Sequence, residues 1–172
     1  MTKKKEFMNR AEELMIVIDT REQLPLWTAR KAFVRSKKLD VGDYTIPELF
    51  GKAHIERKSP NDLYGSVIQG HDRFRNELIR SWELGIKLAV FVECTKDNFY
   101  GMKWDSRGLK CPGETLRKIV EKMELKYAIP FIFCDGRVKM KKAMLEWFDN
   151  QRKVDEVYGE VTRDQESERK RG

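Results

Sequence analysis

The chain has 172 residues, 37% of them charged and 40% hydrophobic, with a formal net charge of +7 and a pI of about 9.3. This length suits one domain with one sizeable core, and no apolar run is long enough to span a bilayer. A basic balance suits a polyanionic partner, nucleic acid above all. The excess charge is uneven: residues 151–172 hold six basic and six acidic side chains, so the whole surplus lies in residues 1–150. Three cysteines, Cys94, Cys111 and Cys134, are odd in number and widely spaced, which argues for a reducing compartment and against a disulfide framework. The opening MTKKKEFMNR lacks the apolar stretch of a signal peptide. The expectation is a cytoplasmic protein of a prokaryotic or viral-host cell, neither secreted nor membrane-bound.

In chain order, residues 1–10 form a basic extension, and 11–149 form the domain. LMIVID at 14–19 is a short apolar, β-rich run that predicts a buried strand. Arg21, Arg30, Lys31, Arg35, Lys37 and Lys38 surround it with positive charge. Val41 to Ile46 predicts a turn into a strand ended by Pro47, with Ala53–Arg57 as its hairpin partner. Ser59-Pro60-Asn61-Asp62 is a helix start: a serine cap, proline at the first position, an acid three after the cap. Gly70 interrupts that helix and Asp72 restarts it, with Phe74, Leu78 and Trp82 spaced for one face and Gly85 at its end. Lys87–Glu93 predicts a central strand. Gly113–Tyr127 predicts a helix with Leu116, Ile119, Val120, Met123 and Tyr127 on its apolar side. Pro130–Cys134 predicts a further strand and Val138–Phe148 a closing helix. Residues 150–172 are nearly all polar and read as a disordered tail. Strands alternating with helices give an α/β fold, a sheet covered by helices.

Chemistry in such folds gathers at strand ends. Asp19, Asp43 and Glu56 all occupy strand ends or turns, and Glu56 and Lys58, two apart on one strand, share a face. Hard cations take carboxylates, carbonyls and waters, and can polarise a phosphoryl oxygen and acidify a bound water. A lysine nearby can stabilise charge on the phosphate. Two carboxylates with an E-x-K lysine are therefore sufficient for phosphodiester hydrolysis. Alone, D-x12-E-x-K is a weak signal, and a surface ion pair of small energy is the alternative for Glu56 and Lys58.

The flanking residues strengthen it. IDTREQLP (18–25), VGDYTI (41–46), IERKSPNDL (55–63) and GHDRFRNEL (70–78) resemble the ERCC4-type nuclease family, the nuclease domains of the XPF and Mus81 structure-selective endonucleases, within the PD-(D/E)XK superfamily. The signature GD followed by ERKxxxD is intact as Gly42-Asp43, Glu56-Arg57-Lys58 and Asp62. The resemblance implies a restriction-endonuclease-like fold, a central mixed β-sheet flanked by helices. It implies that Asp43 and Glu56 coordinate Mg²⁺ or Mn²⁺, that the main-chain carbonyl of Arg57 completes the site, and that Lys58 is the catalytic lysine. Asp19 would be a further acidic group. Arg21 and Glu22 would support the ligands as a structural pair, and Asp62 closes the motif.

Several roles stay open at this point. Asp62 equally suits a capping box. Arg57 suits either DNA or an internal ion pair. Arg73, Arg75, Lys37 and Lys38 suit phosphate contacts or a solvated surface, and Tyr44 and Trp27 suit base stacking or plain packing. The chain lacks the tandem helix-hairpin-helix pattern that follows the nuclease domain in XPF and Mus81 proteins, which leaves the substrate preference for branched, flap or fork DNA resting on resemblance. The expectation is a Mg²⁺-dependent DNA endonuclease forming a homodimer. The alternative is a non-catalytic DNA-binding or scaffolding partner subunit; RNA and single-stranded substrates are not separated from duplex DNA by these residues.

Overall fold

A computed structural model describes residues 14–28, 33–106 and 109–169, without the side chains of 105, 106, 109, 110 and 160–169. The basic extension 1–10, Arg30 and Lys31 lie outside the described residues. The strands are β1 (Ile16–Ile18), β2 (Val34–Ser36), β3 (Tyr44–Thr45), β4 (Ala53–Lys58), β5 (Lys87–Val92), β6 (Trp104–Ser106), β7 (Leu109–Cys111) and β8 (Phe131–Phe133). The helices are α1 (Pro60–Ile68), α2 (His71–Glu83), α3 (Lys96–Gly101), α4 (Gly113–Tyr127) and α5 (Gly136–Arg169).

Six strands form one mixed sheet in the order β2-β1-β3-β4-β5-β8, and β6 and β7 make a separate antiparallel ribbon. β3 pairs antiparallel with both β1 and β4, whereas β4, β5 and β8 run parallel. The fold is thus α/β with a central mixed sheet, as the sequence predicts. Strand β5 shows why two layers cover it: Ala89 and Phe91 enter one core, Leu88, Val90 and Val92 the other. The first core is closed by Met140, Met144, Leu145 and Phe148 of α5. The second is closed by α1, α2 and α4 through Leu63, Val67, Phe74, Leu78, Leu116, Val120 and Met123. Among the described residues no helix is long and apolar enough to cross a membrane.

Ser59 caps α1 as expected, and Gly70 separates α1 from α2. Gly85 follows α2 with φ +67°, a left-handed stop that glycine allows without strain. Trp82 does not share the face of Phe74 and Leu78: it is 78% exposed, while Ser81 is buried. An α-helix turns about 100° per residue, so seven residues return to within about 20° of the starting face and eight overshoot by about 80°. The closing helix also outruns its expected end at Phe148. It continues to Arg169, through residues expected to be disordered. Ion pairs replace the missing apolar stripe: Arg152 and Lys153 both reach Asp149, and Lys52, in the turn before β4, holds Asp155 at 2.7 Å. The sequence pattern gave no expectation for β2, α3, β6 or β7. Each is short, and α3 is marked only by its Thr95 cap on the Asn98 N–H.

Gly42, at the entry to β3, has φ +74°, and a Cβ there would stand 3.0 Å from the Ile55 carbonyl oxygen. Gly42→Ala should therefore cost about 1–3 kcal/mol, whereas Trp82→Ala should stay within about 0.5 kcal/mol of the parent. Urea unfolding of both variants checks this pair of expectations.

Candidate active site

Main-chain bonds bring the three predicted carboxylates to one edge. The Asp19 N–H, just past β1, donates to the Asp43 carbonyl at 2.8 Å, and the Asp43 N–H donates to the Ile55 carbonyl at 2.8 Å. Asp43 is thereby locked beside β4, whose alternation puts Glu56 and Lys58 on the same face. The Lys58 Nζ lies 2.6 Å from Glu56 Oε1. These groups line a cleft of about 680 Å³ that continues past Asn61, Asp62, Gln69 and Arg73.

Burial is the main influence on the two central carboxylates. It raises Asp43 to about 6, with Glu22 and Glu77 adding to the effect while the Arg57 N–H and Lys58 oppose it. It pushes Glu56 well above the usual carboxylate range, helped by Asp43 and opposed by Lys58. Burial lowers the Lys58 ammonium, but Glu56, Glu77 and Asp43 outweigh it and leave the group above its ordinary value. Lys58 is therefore a firmly protonated cation beside two carboxylates that are costly to ionise together.

Asp19 behaves differently. Its two oxygens accept from the Arg21 N–H (2.8 Å), Arg21 Nε (2.7 Å), Arg21 Nη2 (3.2 Å) and the Leu39 N–H (2.6 Å). Burial raises it, but the Arg21 side chain and these N–H groups hold its carboxyl below the usual range. It lines the cleft with its acceptors engaged, organising the turn after β1.

Arg21 and Glu22 do not pair with each other. Arg21 holds Asp19 and the Leu39 carbonyl, and Glu22 holds Arg57. The Arg57 side chain is sunk between Glu22 (3.1 Å) and Glu93 (3.0 Å), which resolves it as an internal ion pair. Its main-chain N–H donates to Asp43 Oδ2 at 2.8 Å. Asp62 serves the helix start: Ser59 Oγ caps α1 by accepting the Asp62 N–H at 3.1 Å and donates to Asp62 Oδ2 at 2.6 Å.

Tyr44 is not a stacking platform. It is fully buried, its hydroxyl accepts the Leu26 N–H at 3.0 Å, and its ring meets buried Trp27 edge-on. Arg73 lines the cleft, while exposed Arg75, Lys37 and Lys38 stand outside it. The Lys37 ammonium rests 3.8 Å above the Phe50 ring. His54 is buried with Nδ1 donating to the Val41 carbonyl and Nε2 accepting the Gly51 N–H, a structural tautomer. His71 is half-exposed near Asp72.

Sequence reasoning missed Glu77, Glu93 and Arg137. Glu77 lines the cleft from α2, three residues after core Phe74 and so on the inward flank of that helix; this spacing was its only signal. Glu93 accepts both Arg57 and Arg137.

No protein-family model and no curated protein matches the sequence. Solved structures do. XPF from Aeropyrum pernix superposes with a TM-score of 0.59 at 18% identity, over 84% of this chain and 68% of that one. The fold is XPF-like. A second structure of XPF from Aeropyrum pernix, in complex with DNA, gives 0.59 at 20% identity, over 77% and 62% of the two chains.

Among the described residues no three His, Cys, Asp or Glu side chains are grouped to hold a metal. Two carboxylates do share one cleft. Asp43 and Glu56, both raised by burial, are oxygen donors that a hard cation accepts together with main-chain carbonyls and waters. The donor set fits Mg²⁺ or Mn²⁺ and does not fit a softer metal.

A carboxyl raised in the folded state adds a stability cost that grows as pH climbs from its unfolded value and is complete above its folded value. For Asp43 that window runs from the ordinary 3.8 to about 6. Asp43→Asn, whose amide oxygen can still accept the Arg57 N–H, should raise the melting temperature of metal-free protein by several degrees at about pH 8 and change it little near pH 4. Thermal scans in EDTA across that range check the sign.

Proposed function

We propose that the chain is a metal-dependent DNA endonuclease that hydrolyses phosphodiester bonds, acting on branched, flap or fork DNA. One observation carries it: Asp43 and Glu56, costly to ionise together, stand with protonated Lys58 in one open cleft of an XPF-like fold. The XPF structure solved in complex with DNA supports the choice of DNA, as does the net charge of +7.

Asp43, Glu56 and the main-chain carbonyl of Arg57 would hold Mg²⁺ or Mn²⁺. When bound, such a cation supplies Lewis acidity towards a phosphoryl oxygen and a lowered pKa for a bound water. The protein's own residues do the rest. Lys58 keeps its proton and offers it as a hydrogen bond to a non-bridging phosphate oxygen as charge builds there. The Arg57 N–H fixes the Asp43 carboxylate, so its orientation is set before substrate arrives. Arg73, on the cleft wall, positions a flanking phosphate. Asp19 holds the strand edge together and needs no proton exchange to do so.

A homodimer belongs to this reading. Exposed Leu125 on α4 and Val154, Val157 and Tyr158 on α5 offer apolar surface for it. Light scattering at micromolar concentration should give twice the chain mass; a monomer mass removes this part.

Glu56→Gln should cut metal-dependent cleavage of a fork or flap by at least about a hundredfold, yet leave the metal-free fold as stable as the parent or more so. Lys58→Met should lose cleavage equally while retaining the rise in melting temperature that millimolar Mg²⁺ gives the parent. A folded Glu56→Gln protein cutting at the parental rate would sink the assignment.

A further inference from the structure

The parallel register of β4, β5 and β8 aligns Lys58 with Val92 and Val92 with Phe133. Aligned residues of parallel neighbours point to the same face, and adjacent strands lie about 4.8 Å apart, so Phe133 stands roughly 10 Å from Lys58 along the same sheet edge. There a second cleft, of about 450 Å³, opens between the ends of β5 and β8 and the start of α5. Its floor is apolar, with Ile132, Phe133 and Ala143, and its rim carries Lys96 and Lys139.

Phe133 is half-buried and held by ring contacts with Phe99 at 5.5 Å and Tyr100 at 5.7 Å. The Lys96 ammonium lies 5.8 Å from its ring centre. Among the described residues no carboxylate pairs with Lys96, whereas Lys139 is paired with Asp135. A fixed aromatic face with cations at its rim is the recognition chemistry of a nucleobase and its phosphates.

Resting on the DNA-nuclease reading, we infer that this second cleft holds an unpaired nucleotide of the DNA bound at the carboxylates, its base against Phe133 and its phosphate against Lys96. The 10 Å offset corresponds to about three nucleotides at duplex rise, so the cleft would sense whether the strand has left its duplex near the scissile bond. This would give a compact domain a junction preference of its own.

Fluorescence anisotropy in EDTA tests it, with a blunt duplex and the same duplex extended by a single-stranded arm as probes. Lys96→Glu and Phe133→Leu should weaken binding of the armed probe by about five- to a hundredfold, the range that base–aromatic stacking supplies. Blunt-duplex affinity should stay within about twofold. A halogenated uracil in the arm should photocrosslink to the peptide containing Phe133 in the parent. Lys96 is exposed, so its variant keeps the test valid where Phe133→Leu fails to fold. Equal losses on both probes, or no loss on either, overturn the second cleft while leaving the nuclease reading intact. A parent protein that binds neither probe overturns both.

Discussion

The main-chain N–H of Arg57 reaching the Asp43 carboxylate joins two requirements that oppose each other. The proposed metal site needs acids crowded together in a place that water does not screen, and folding resists such crowding. Here the crowding is imposed by sheet geometry. β3 is only two residues long, but main-chain bonds from Asp19 to Asp43 and from Asp43 to Ile55 stitch three chain segments at one point. Gly42 lets the chain pass Ile55 closely enough for that stitch to form. Once it exists, the alternation of β4 delivers Glu56 and Lys58 without further instruction.

Around this point the charges are layered. The innermost pair, Glu56 and Lys58, faces the cleft. Behind it Arg57 is pinned by Glu22 and Glu93, and Arg137 extends the chain of ion pairs to the first turn of α5, where it also donates to the carbonyls of Leu24 and Pro25. Consecutive residues of one strand thus serve opposite faces: 56 and 58 turn to the cleft, 57 to the scaffold. Such a network is worth little where exposed, but Arg57 and Glu22 are largely buried, so deleting either partner would strand a charge out of water.

The sheet was legible in the sequence because apolar, β-rich runs alternate with helical patterns, and the central residues because the blocks around a weak D-x12-E-x-K spacing resemble a known nuclease family. What stayed hidden had physical reasons. Tyr44 carries a hydroxyl that suits either an interior partner or a wet surface, and a two-residue strand has too little alternation to say which. Glu77 looks like any acid on a solvated helix until the tertiary packing of α2 turns its flank toward the cleft. Arg21 and Glu22 are neighbours in sequence, but their partners are Asp19 and Arg57, a choice set by the turn after β1 and by β4. The extension of α5 beyond Phe148 is accompanied by local ion pairs and the Lys52–Asp155 tether, which leave no hydrophobic period to detect.

That tether has a consequence for how opening is distributed along the chain. At 1.5 Å per residue the stretch from Asp149 to Arg169 spans about 30 Å, and the Lys52–Asp155 ion pair ties it to the turn before β4. Helical hydrogen bonds there are sustained mainly by charge pairs that mobile ions screen. Amide protons of α5 should therefore exchange along a gradient, slowest near Met144 and fastest toward Arg169, and raising ionic strength should move that front inward while the core turns beneath β1 and β4 hold.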